Sequence, residues 1–101
     1  MISVIGLGTG ASSIANLFKE QPQYSVHCLN DKVKRTSKYK FRLKPAETPE
    51  ECESNIPDLS NFFENVGDHV QFFVIGSTMS SNYSLGVLEQ LRGKKVLFMY
   101  K

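Results

Sequence analysis

The chain has 101 residues, 41% of them hydrophobic and 22% charged, and carries a formal net charge of +2. That size allows one domain with a real core, and so mild a charge does not by itself mark a nucleic-acid binder. No apolar run approaches the roughly 18 residues of a membrane span, and the first residues lack the basic region and long apolar stretch of a signal peptide, so the expected location is the cytoplasm.

Residues 2–6 (ISVIG) are a continuous apolar run, as in a strand buried on both faces. Residues 11–20 carry apolar side chains at 11, 14, 15, 17 and 18, a helical spacing that Gln21 and Pro22 end. Residues 24–29 (YSVHCL) are the second strand, closed by Asn30 and Asp31. Strand, glycine turn, helix and strand within about 30 residues make a βαβ unit with parallel strands.

Seven of the twelve Lys and Arg residues follow: Lys32, Lys34, Arg35, Lys38, Lys40, Arg42 and Lys44. Within that stretch residues 39–43 alternate and suit a short edge strand. Between residues 45 and 57 the sign flips, with Glu47, Glu50, Glu51 and Glu53, and a surface loop or frayed helical turn is expected. Residues 57–66 (PDLSNFFENV) read as a helix with proline in its first turn, and residues 70–75 (VQFFVI) as a third strong strand. A last helix over 80–91, ended by Gly93, leads to a final strand over 95–100. This order predicts an α/β fold: a three-layer, Rossmann-like domain with a mostly parallel sheet of four or five strands and helices on both faces. The chain is read as one domain over 1–101. Because such folds usually continue past a strand like 95–100, it is also open to being the N-terminal part of a longer protein.

The first loop carries the chemistry. Gly6, Gly8 and Ala11 fit G-x-G-x-x-A directly after a strand and opening a helix, the setting of the dinucleotide fingerprint. Glycine lets the backbone approach a phosphate, which main-chain N–H groups and the helix N-terminus then hold. Thr9, Gly10, Ser12 and Ser13 complete the candidate set, and Asp31 ends the second strand where an acid can meet a ribose hydroxyl. A glycine turn used only for tight packing is the plain alternative. There is no G-K-[ST], which excludes a Walker-type loop.

In a doubly wound sheet the strand over 70–75 lies beside the first, so the loop after it should face the first loop across the crevice. That loop offers Gly76, Ser77, Thr78, Ser80 and Ser81 as further phosphate donors, where plain helix capping needs one hydroxyl. The basic stretch leaves the same sheet end. It suits phosphate contact, selection of a 2′-phosphate, a polyanion such as nucleic acid, or simply a solvated loop. His27 reads as a packed strand residue and His69 as a loop residue; no metal spacing links them or the two cysteines, Cys28 and Cys52, which read as reduced thiols.

VIGLGTGASSIANLF resembles the first glycine loop and helix of the tubulin/FtsZ superfamily, with Asn16 where bacterial members carry an asparagine. HCLND looks like that superfamily's second strand and its ending. DLSNFFENVGDHVQFFVIG looks like the helix and strand leading into its signature loop, and LGVLEQLRGKKVLFMY is similar to the next helix and strand. The resemblance covers nearly the whole chain as the N-terminal half of the nucleotide-binding domain. GSTMSSN stands where the superfamily has a dense glycine run, so the match is to a divergent member, of the phage or plasmid cytoskeletal kind. The resemblance implies GTP or GDP as ligand, with Mg2+ accompanying it, and self-association into head-to-tail filaments or pairing with a second domain. It also implies that any GTPase carboxylate comes from an adjoining subunit, beyond the matched region. Two alternatives remain open at this point: an NAD(P)-binding Rossmann domain of an oxidoreductase or regulator, and a scaffold that kept the fold and binds no nucleotide.

Overall fold

The computed structural model describes residues 2–76 and 78–101. Five strands, β1 (Ile2–Leu7), β2 (Tyr24–Asn30), β3 (Lys40–Arg42), β4 (His69–Val74) and β5 (Lys95–Tyr100), form one sheet in the order β3-β2-β1-β4-β5. Every pairing is parallel. The fold is therefore α/β with an all-parallel Rossmann-like sheet. β1 sits at its centre, paired in register with β2 (Ile5 to His27) and β4 (Ile5 to Phe72).

Alternation along the strands divides the core. Ile5, Leu7, Leu29, Val70, Phe72 and Val74 point to one face. There they meet α2 (Pro49–Ser54), α3 (Ser60–Phe63) and α4 (Ser84–Gln90) through Cys52, Phe62, Phe63 and Val87. Val4 and Cys28 point to the other face, which α1 (Gly8–Asn16) covers with Ala11 and Ala15. Helices thus flank both faces.

Boundaries differ from the periodicity in instructive ways. The first helix starts earlier and ends at Asn16. Beyond it the chain tightens into turns, with Phe18 N–H on Ala15 O and Lys19 N–H on Asn16 O. Those turns swing Phe18 inward to stack on Phe73 at 5.9 Å and meet Tyr24 edge-on at 4.9 Å, while Leu17 stays exposed. The acidic stretch holds a real helix, α2, because Thr48 Oγ1 accepts the Glu51 N–H at 3.1 Å and Pro49 opens its first turn. The helix expected over 57–66 shrinks to the single turn of α3. Residues Met79–Tyr83 wind as a 3₁₀ turn before α4 begins. Among the described residues no helix is long and apolar enough to cross a membrane.

Candidate functional site

Strand order reverses between β1 and β4, so the loops leaving their carboxyl ends are neighbours. The glycine turn opens α1 with Gly8 at a φ of +87°, a conformation that side-chain-bearing residues rarely adopt. A Cβ on Gly8 would stand 2.9 Å from Cβ of Ser80, so the loops at 6–13 and 76–82 touch across the switch point. Gly6 is as confined: a Cβ there would meet the backbone of Ala11 and Ser12 at 2.6–2.7 Å, which sets the close approach of α1 to β1. Gly10 faces the tip of Ile75, and Gly76 lies under the ring of Tyr100. The space each glycine leaves is thus taken by the protein's own atoms.

The hydroxyls are largely committed as well. Ser12 donates to Gly6 O (3.4 Å) and Ser13 to Thr9 O (3.1 Å). Thr78 donates to Ile75 O (2.8 Å), and Ser81 reaches Thr78 O (2.6 Å) and Gly76 O (3.1 Å). Ser77 lies outside the described residues. What the turn keeps available is its main chain, because no side chain caps α1 and its first turn holds no acid.

At the end of β2, Asn30 rather than Asp31 is tied to the glycine turn. Asn30 Nδ2 donates to Thr9 Oγ1 at 3.2 Å, and Asn30 Oδ1 accepts the Lys32 N–H at 3.3 Å. Parity explains this, since residues 24, 26, 28 and 30 face α1 while the odd positions face away. Asp31 acts toward the opposite side, where its charge helps raise the phenol pKa of Tyr83, mainly lifted by burial. Asn30 escaped the sequence reading, although counting alternate residues back from the strand end would have found it.

Beside the turn, two adjoining recesses of about 550 and 480 Å3 run along the α1 side of β2 and share Asn16, Cys28 and Lys40. Of the candidate residues in the two loops only Ser12 lines either, whereas Lys32, Lys34, Arg35 and Lys40 of the basic stretch do so as well. Among the described residues the one ion pair is Arg92–Glu89 at 3.4 Å, so the cations of residues 32–44 have no carboxylate partner.

Two buried groups are structural. His27 is fully buried, hydrogen-bonded at Nε2 to Ser25 Oγ (3.2 Å) and packed between Tyr39 and Phe62. Its pKa is lowered, above all by loss of solvent. Cys52 donates to Met79 O at 3.5 Å, and burial pushes its thiol up, away from the reactive thiolate. Compared with protein-family models, with characterised proteins and with solved structures, the chain has no significant match.

Proposed function

We propose that this chain is a nucleotide-binding domain of the tubulin/FtsZ kind. GTP is its ligand, and the phosphates lie against the α1 N-terminus, beside the contact between the loops at 6–13 and 76–82. The observation that carries the reading is the meeting of those loops at Gly8 and Ser80, beside a helix start with neither a side-chain cap nor an acid. Uncapped main-chain N–H groups and the helix dipole suit a phosphate there. With most hydroxyls turned to their own backbone, the N–H groups of Gly8, Thr9 and Gly10 are the donors this site would use. Mg2+ would be carried in with the nucleotide. Turnover, in this reading, needs a carboxylate from a second subunit or domain, so the isolated chain binds without hydrolysing. The strand order is equally that of a dinucleotide domain, which makes NAD and NADP the competing ligands.

Titrating GTP, ATP, NAD and NADP into the folded protein decides among them. The expected result is a preference for GTP. The variant Thr9→Glu puts an acid in the exposed first turn of α1, where the helix dipole offsets the lost Asn30–Thr9 hydrogen bond and the melting temperature should stay within a few degrees of wild type. The same charge should weaken GTP binding at least tenfold. A dinucleotide preference would move the chain to the oxidoreductase or regulator reading. Binding of none of the four would leave a scaffold.

A further inference from the structure

The two recesses along β2 make one trough. Its floor is the α1-facing side of the strand, with Val26 and Cys28 in the middle. Lys19 and Tyr39 stand toward one end, and Lys32, Lys34 and Arg35 toward the other, with Lys40 common to both recesses. No Asp or Glu lines either recess among the described residues. Five like charges along one open depression repel one another, and without carboxylates an anion is the natural neutralising partner. The depression follows a seven-residue strand, about 20 Å from end to end, which is long for one nucleotide. Tyr39 is about half exposed, but its ring lies against His27 at 5.4 Å and under Lys38 Nζ at 5.6 Å, so the trough offers cations rather than a free aromatic face. A positively charged groove long enough to follow several consecutive phosphates is how proteins hold single strands without reading sequence.

We propose that the trough between α1 and the β2–β3 segment binds single-stranded nucleic acid, with phosphates along Lys32, Lys34, Arg35 and Lys40. The mild net charge of the whole chain hides this side, because the ten acids, four of them between Glu47 and Glu53, offset the cations in the sum while none lines the trough among the described residues.

Fluorescence anisotropy with a labelled ten-residue oligothymidylate tests it at 50 and 200 mM salt. Affinity should fall with salt, at a log–log slope of about −0.7 for each phosphate contacted. The double variant Lys34→Ala/Arg35→Ala should weaken binding at least tenfold and flatten the slope by about 1.4. Arg92→Ala/Lys101→Ala removes the same charge from another part of the surface and should leave binding intact; circular dichroism confirms folding of each variant. The proposal falls if the oligonucleotide does not bind at 50 mM salt, or if both double variants lose affinity equally. It also falls if Lys34 and Arg35 prove necessary for a mononucleotide while no oligonucleotide binds.

Discussion

His27 shows how one buried side chain sets a condition on the whole domain. Its ring closes a chain of polar contacts: the Gly67 N–H donates to Ser3 Oγ (2.9 Å), Ser3 meets Ser25 (3.1 Å), and Ser25 meets His27 Nε2. Burial holds its folded-state pKa below the ordinary value of 6.5. The unfolded chain therefore binds this proton first. The stabilisation is complete above pH 6.5 and is lost as pH falls through the folded-state value, with a slope of at most about 1.4 kcal/mol per pH unit. Urea denaturation at pH 7 and pH 5 should show that loss in the wild type and much less of it in His27→Gln. The glycines of the turn separate in the same way by what surrounds them. Gly6→Ala drives a methyl group into α1 backbone, an overpacking worth roughly 1–3 kcal/mol. Gly10→Ala meets only the flexible end of Ile75 and gains helix propensity of up to about 1 kcal/mol. Thermal denaturation should lower the midpoint by about 4 °C or more for the first and leave it unchanged or raise it by up to about 8 °C for the second.

At the scale of elements, the strands were the legible part. β1, β2, β4 and β5 each begin or end within a residue of their apolar runs; burial on both sides demands this of the central β1, whereas β5 keeps its apolar run while largely exposed. The strand order of a doubly wound sheet puts β4 beside β1, as observed. Helices were harder to read. α2 hides in a stretch of glutamates and shows itself only through Thr48 and Pro49, and the 57–66 segment keeps its apolar spacing while forming one turn of helix. Packing of Phe62 and Phe63 into the core, rather than helical hydrogen bonding, holds that segment. The glycine turn was found where the motif put it. The trough was not, since it is built from residues of α1, β2 and the basic loop that no spacing connects. Thr48→Ala removes the cap of α2 and costs about 1 kcal/mol. Because α2 has six residues and lies at the surface, hydrogen exchange should speed up in 49–55 first, before the global stability changes by a comparable amount.

For the molecule as a whole, the asymmetry of the sheet matters most. One edge ends in the short, charged β3. The other, β5, leaves Leu97, Phe98, Met99 and Tyr100 between 38% and 58% exposed and pairs only with β4 among the described strands. Lysines at 95 and 101 flank that apolar edge, a common guard against pairing between molecules, but nothing charged stands within it. Met99→Lys should reduce concentration-dependent association in sedimentation velocity. Equal association of variant and wild type would show that the edge is not sticky. The central place of β1 has a different kind of consequence, one of timing. Ile2 pairs with Tyr24 on one side and with His69 on the other, so a strand made before both of its neighbours gains the second only some 67 residues later. Until then the most apolar ribbon of the fold has one flank open. The nascent chain must shield that flank through the interval, and shielding it is a separate demand on the sequence from the stability of the finished sheet.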